Sequence, residues 1–386
     1  FSSVTAGLGI FAQGLEAGLE TTPAYTPDDV APTKPAETTR PKVSPANIEV
    51  LRRRIQVQEG VVTAESAESD RALVVLGDDK TVTAVPLPGV FNREGRRERR
   101  EEREQRDLDL EEKSVPSVPS VDISLEEVGL PQNGQRAMTA DWDKPLLIVT
   151  STYRFLLLTP RQLAEQQVAQ VSLSQVFQLG EREVLCTVAP WHKIKQQEKL
   201  LLVTSAGLAR PYPTRVMIES IEAPVPLMFD NPLPGVPIFA DGAEGNEELL
   251  LVTRGGKGLR AQVGQLRGSG TQLMNVARGD RVETAVLCQP NDPILLITAD
   301  GYGRHFLAEW VPQPEKDNDK GKSLIARRSD LIAAVPHPEE TPIHLLTSQQ
   351  LLRLENGRPP LEDSSKTNAL LKLHKNETVL TVIGNQ

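Results

Sequence analysis

Apolar residues gather in short runs that end in threonine and return at a steady interval. Leu147-Ile148-Val149-Thr150 is followed by Leu201-Leu202-Val203-Thr204 and Leu250-Leu251-Val252-Thr253. Leu295-Leu296-Ile297-Thr298 and His344-Leu345-Leu346-Thr347 complete the series. Successive threonines stand 54, 49, 45 and 49 residues apart. A sixth, weaker copy is Leu73-Val74-Val75-Leu76. Units returning every 40–50 residues or so stack as blades of a propeller or coils of a solenoid. The runs are apolar almost throughout, as in Leu249-Leu250-Leu251-Val252. Strands covered on both faces by neighbouring units have this character. The fold class that follows is all-β.

Each threonine is followed by a short turn and a second apolar strand. The turns read Ser205-Ala206-Gly207, Arg254-Gly255-Gly256-Lys257-Gly258 and Ala299-Asp300-Gly301. Glycine between two apolar runs marks a hairpin, because it supplies the positive φ such turns need. A threonine at a strand end can bond the turn backbone, which accounts for its recurrence without any catalytic role.

Past the turn the chain becomes basic. Arg210, Arg304 and Arg353 each lie six residues after their threonine. Arg260 lies seven after its own, and the turn before it is read as one residue longer. Arg154 lies four after Thr150, and Lys80 is the nearest equivalent in the first copy. Basic residues at one place in successive blades would form a ring able to track a polyanion. The plainer alternative is that they only keep exposed hairpins soluble.

The pattern of apolar run, threonine, Gly-containing turn and arginine resembles the C-terminal domain of type IIA topoisomerase A subunits, DNA gyrase A and its topoisomerase IV counterpart. Later segments carry the same resemblance. Gly268-Ser269-Gly270-Thr271-Gln272-Leu273-Met274-Asn275-Val276 is followed by Gly279-Asp280-Arg281-Val282-Glu283-Thr284-Ala285-Val286. Gly321-Lys322-Ser323-Leu324-Ile325 leads to Asp330-Leu331-Ile332-Ala333-Ala334-Val335. In the family these are the Gly-rich loop, the Gly-Asp turn and the last strand of a blade.

The resemblance implies a six-bladed β-pinwheel, a propeller-like disc of four-stranded blades whose basic outer rim bends duplex DNA. Carried over by position, the rim residues are Arg210, Lys257, Arg260, Arg304 and Arg353, with Arg154, Arg254, Arg327 and Arg328 as further candidates. It also implies duplex DNA, a topoisomerase catalytic core and an ATPase subunit as partners. ATP and Mg2+ would belong to those other parts, and this chain would need no cofactor. A bacterial cytoplasm, at the nucleoid, is the implied setting.

Two departures qualify the resemblance. The stretch Val90-Phe91-Asn92-Arg93-Glu94-Gly95-Arg96-Arg97-Glu98-Arg99-Arg100 stands where gyrase carries a Gln-Arg-Arg-Gly-Gly-Lys-Gly box, and it lacks the glycine pair. Arg254 to Gly258 looks like that box but follows a threonine directly, as a hairpin turn does. On this count the chain resembles the topoisomerase IV type, or a diverged stand-alone relative, more than gyrase. The family's cleavage tyrosine has no counterpart either. Tyr25 sits among prolines without a neighbouring arginine, and Tyr153, Tyr212 and Tyr302 fall within blades or turns.

Composition sharpens the picture at a few points. The chain has 386 residues and a formal charge of −9. From Pro131 onward there are 27 Lys and Arg against 28 Asp and Glu, so most of the excess acid precedes the later repeats. A near-neutral disc can still bind phosphates when its charges are segregated. Thirty prolines discourage helices in the loops. Cys186 and Cys288 fall in equivalent late strands and read as core residues in a reducing compartment. No spacing suggests a metal site, and His192 beside Trp191 reads as structural. No apolar run is long enough to cross a membrane as a helix. Phe1 to Leu19 lacks a basic start, so it does not read as a secretory signal, and the absent initiator Met suggests a fragment or a processed chain.

Residues 1–47 read as a flexible Thr/Pro/Ala-rich linker, and 48–386 as the six-repeat domain. Ile48 to Ala64 is the expected leading strand, paired with Thr378 to Ile383. A charged insert is expected at about 92–125. Within it, Arg93 to Lys113 has eight basic and nine acidic residues at helical spacing, and Ser114 to Ser120 forms a tether. A protein-interaction scaffold without DNA binding is the competing function, favoured by the acidic balance. A hydrolase would need recurring Asp, His or Ser near one pole, and none recurs.

Overall fold

Each apolar run forms the first strand of a repeat, because a run with no polar face must be covered on both sides. The computed structural model describes residues 71–77, 80–87, 121–168, 172–222, 233–314, 319–326, 329–336, 343–354, 359 and 361–384. All lie in one compact unit, Arg54–Gln386. The expected linker, leading strand, charged helix and tether fall outside these residues, as do Arg327 and Arg328.

The first strands are β1 (Arg71–Gly77), β5 (Leu146–Thr150), β8 (Lys199–Thr204), β11 (Glu248–Thr253), β15 (Pro293–Thr298) and β19 (Ile343–Thr347). A hairpin joins each to a second strand. These are β2 (Val82–Pro86), β6 (Phe155–Leu158), β9 (Leu208–Pro213), β12 (Lys257–Gln262), β16 (Tyr302–Leu307) and β20 (Gln350–Leu354). On its other edge each first strand pairs with the last strand of its own repeat. These are β4 (Gly134–Asp141), β7 (Leu185–Pro190), β10 (Pro237–Ala243), β14 (Val282–Cys288), β18 (Leu331–Pro336) and β22 (Val379–Gly384).

The outermost strand of a sheet is lent by the next repeat. β13 (Thr271–Gln272) of the fourth repeat pairs with β9, and β17 (Lys322–Ser323) of the fifth with β12. β21 (Asn368–Ala369) of the sixth pairs with β16. β3 (Val121–Ser124) of the first repeat pairs with β20 of the sixth, which closes the ring. This corrects the expected insert boundary, because residues 121–124 are a structural strand. It also corrects the expected closure: β22 lies between β19 and β4.

Five α-helices occur among the described residues: α1 (Leu125–Val128), α2 (Pro160–Val168), α3 (Leu173–Phe177), α4 (Trp191–Ile194) and α5 (Thr214–Ile221). α2 begins with proline, whose missing N–H costs nothing at a helix start. Thr159 Oγ1 accepts from the Gln162 N–H, and Gln162 Oε1 accepts from the Thr159 N–H, so the start is reciprocally capped. This helix packs on β2, where Gln167 Oε1 accepts from the Ala84 N–H at 3.0 Å. α5 packs on β6 through buried Met217 and Ile221. Among the described residues β2 and β6 receive no lent strand, where a fourth was expected in each blade.

Among the described residues six repeats yield five sheets, because β22 and β4 pair in parallel through Ile383–Ala137 and Gly384–Met138. That pairing merges the first and last repeats into one seven-stranded sheet. The last strands touch in the order β4, β7, β10, β14, β18, β22 and back to β4, so they form the inner ring. The core sits between repeats. Ala72, Val74 and Leu76 pack with Leu146 and Ile148 of the second repeat. Leu73 and Val75, on the opposite face of the same strand, pack with Leu346 and Leu351 of the sixth. Every first strand is buried on both faces for this reason.

All six inner strands carry a one-residue bulge opposite the end of the first strand. The extra residues are Gln135, Cys186, Ile238, Glu283, Ile332 and Leu380. A bulge in antiparallel pairing bends the strand and sharpens its twist.

Candidate nucleic-acid interface

The hairpins fix where the basic residues point. Thr150, Thr204, Thr253 and Thr298 each accept, through the main-chain carbonyl, from the N–H three residues on. Their Oγ1 atoms accept from the N–H of Arg154, Leu208, Lys257 and Tyr302, at 3.2–3.4 Å. Thr347 Oγ1 accepts from Gln349 and Gln350 instead, because its turn is one residue shorter. The threonines therefore have the structural role expected of them.

Turn length decides the face of every residue that follows. Arg210 stands across from Leu202, and Arg304 across from Leu296. Arg260 stands across from Leu250, and Arg353 across from His344. Counted from the residue opposite the threonine, the first pair lies two positions along and the second pair three. Side chains alternate, so the two pairs occupy opposite faces. The turn before Lys257 has three residues, like the others, so the extra residue assumed for Arg260 is absent. The expected single ring of arginines is corrected to two alternating sets.

Arg210, Arg260 and Arg254 bond to the next repeat, and Arg154 is held nearer home. Arg210 Nε donates to the Gly268 carbonyl at 2.8 Å, and its guanidinium lies 4.6 Å above the Tyr212 ring. Arg260 pairs with Glu248 through Nη1 and donates from Nε to the Val311 carbonyl at 3.1 Å. Arg304 Nη1 donates to the Leu324 carbonyl at 2.6 Å, with the ring of Phe306 4.7 Å below. Arg304 is only 5% exposed and Arg353 only 6%, so neither presents its charge at an outer surface. Burial draws the Arg304 pKa below its ordinary value. Arg154 pairs with Glu183 at 3.2 Å and donates to the Phe177 carbonyl at 2.7 Å. Arg254 is exposed and pairs with Asp330 at 2.6 Å. That bond raises its pKa.

Lys257 is half-buried and its side chain has no partner among the described residues. Other cations without an ion pair lie on the lent segments, where counting from the threonines could not find them. Arg267, Arg278, Lys320, Lys322, Lys366 and Lys372 are all exposed. The signal was present in the sequence: Arg267, Arg278, Lys320 and Lys322 each adjoin a glycine of the Gly-rich loop or Gly-Asp turn. Lys322 pairs with Gly258 in the ladder, next to Lys257, so two cations share one outer edge. An open cleft of about 550 Å³ lies beside Ser205, Gln272, Asn275, Arg278 and Arg281.

Other chemistry is sparse. Cys186 and Cys288 are free thiols, pushed up to about 11 and about 12 by burial. Among the described residues no cluster of His, Cys, Asp and Glu could hold a metal ion. No helix there is long and apolar enough to cross a membrane. The His192 pKa is lowered, first by burial and then by neighbouring lysines.

No protein-family model and no curated protein matches the chain. Solved structures do. A structure of the DNA gyrase A C-terminal domain aligns over 82% of this chain and all of its own, with a TM-score of 0.58 and 13% identity. The C-terminal domain of DNA topoisomerase IV aligns over 82% of this chain and 93% of its own, with a TM-score of 0.51 and 16% identity. The chain thus has the β-pinwheel fold of these topoisomerase C-terminal domains.

Proposed function

We propose that this chain binds duplex DNA along its outer edge and bends or wraps it, as an accessory domain of a type IIA topoisomerase. The observation that carries the reading is a fold shared with gyrase A and topoisomerase IV C-terminal domains over 82% of the chain. The unpaired cations on the lent segments support it. Phosphate contacts fall to Lys257, Arg267, Arg278, Lys320, Lys322 and Lys366, with Arg254 and Arg210 beside them. Arg260, Arg304 and Arg353 shape the edge from within. The catalytic core and the ATPase subunit would be the partners, with ATP and Mg2+ held there. The same reading would have the chain act in the cytoplasm, on a bacterial nucleoid.

The test is a titration against a linear duplex of ~100 base pairs across a salt series. Each phosphate contact contributes about 0.9 to the log-log slope, so a slope of several units is expected. Lys257→Glu with Lys322→Glu should lower that slope by about two. Arg304→Met should leave the slope unchanged and cost about 1–3 kcal/mol of stability. Binding undetectable even at low salt would reject the reading in favour of a protein-interaction scaffold, which the net charge of −9 favours.

A further inference from the structure

The inner ring carries a cation that neither the core nor the outer edge uses. Arg136 lies on β4, directly after the bulged Gln135. Its Nη2 donates to the main-chain carbonyl of Glu283 at 2.8 Å. Glu283 is the bulged residue of β14, three strands from β4 whichever way the ring is followed. The side chain therefore reaches across the axis instead of to a neighbour. The Glu283 carboxylate is already engaged: it accepts from Arg281 Nε at 2.8 Å. Two guanidinium groups thus converge on a residue that offers one negative charge.

Nothing else among the described residues accepts from Arg136. Burial draws its pKa below the ordinary value, Glu283 opposes that fall, and Arg281 adds to it. A half-buried guanidinium held by a single carbonyl is a costly arrangement, because charges withdrawn from water are normally paired. Guanidinium forks match the oxygen spacing of tetrahedral oxyanions and bind them through parallel N–H donors.

We propose that a small oxyanion, of the size of phosphate or sulfate, binds at the axis between Arg136 and Arg281. It joins the first repeat to the fourth and so couples opposite sides of the ring. The site is independent of duplex binding at the outer edge. Because it exists only in the closed ring, its occupant stabilises the fold by mass action.

Thermal unfolding in rising sodium phosphate, at ionic strength held constant with sodium chloride, tests this. The wild-type chain should gain about 2–4 °C in Tm, saturably. Arg136→Gln and Arg281→Gln should lose that gain, and Lys372→Gln, at an exposed cation of the sixth repeat, should keep it. A gain that persists in Arg136→Gln, that is lost equally in Lys372→Gln, or that never appears in wild type overturns the proposal. Should Arg136→Gln fail to fold, the contrast between Arg281→Gln and Lys372→Gln decides. A chain that shows the gain but binds no duplex leaves the axial site standing.

Discussion

The carboxylate of Glu183 accepts from Thr150 Oγ1 at 2.6 Å, Thr152 Oγ1 at 2.7 Å and the Gly180 N–H at 2.9 Å. Burial alone would raise its pKa, but these bonds and Arg154 hold it below the ordinary value. Its ionised form therefore stabilises the fold above about pH 4.5, and that contribution is lost as pH falls from there. Glu183→Gln should cost about 1–3 kcal/mol at pH 7, with the difference shrinking in acid, read by urea unfolding at both pH values. Asp241 behaves in the opposite sense. Burial raises it to about 6, against a hydrogen bond from the Gly242 N–H and the charge of Lys193. A raised carboxylate favours the fold below its unfolded value of 3.8, and the advantage fades as pH rises through about 6. Asp241→Asn should thus be more stable than wild type at pH 7 and equal to it below about pH 4, by the same measurement. What the sequence made legible at this scale was the threonine, whose partner lies in its own turn. The arginines were only half legible, because the two-residue turn Ser348-Gln349 flips Arg353 to the opposite face from Arg304.

Among the elements, the first and second strands were legible from apolar runs and glycine turns. The lent strands were not, since two residues such as Thr271-Gln272 carry no period. Nor were the bulges, which depend on register against a neighbouring strand. The Gly-rich loop hinted at the lending, and its close packing gives it a measurable signature. Gly256 has φ +79°, and a Cβ there would lie 2.1 Å from Ile325 Cγ1 of the lent segment. Gly279 has φ +86° and open space around it. Gly279→Ala should cost about 1 kcal/mol for its backbone alone. Gly256→Ala should cost about 2 kcal/mol more, because the lent segment must move as well. Chemical denaturation of both variants checks this, and equal losses would mean the segment yields freely.

At the level of the whole molecule, charge is arranged by layer. Guanidinium groups between repeats face carbonyls and carboxylates, whereas Lys322 and its unpaired neighbours stand on the lent strands and loops. An overall charge of −9 therefore says little about the outer edge. If that edge holds DNA, weakening it should show first as a shallower salt dependence, with thermal stability unchanged.

The lending of strands also sets a timetable for synthesis. Each new repeat supplies the edge that its predecessor lacks, so only the most recent second strand stands open as the chain emerges. The exception is β3, whose host pairs it at Arg353↔Val121. It is made early and then waits for roughly 230 further residues, about 10–50 s at ribosomal speed. Throughout that interval a finished strand has no neighbour, and an unpaired strand is the kind of surface that recruits other chains. The sixth repeat therefore completes the first, and β3 stands without its partner strand for most of the chain's own translation.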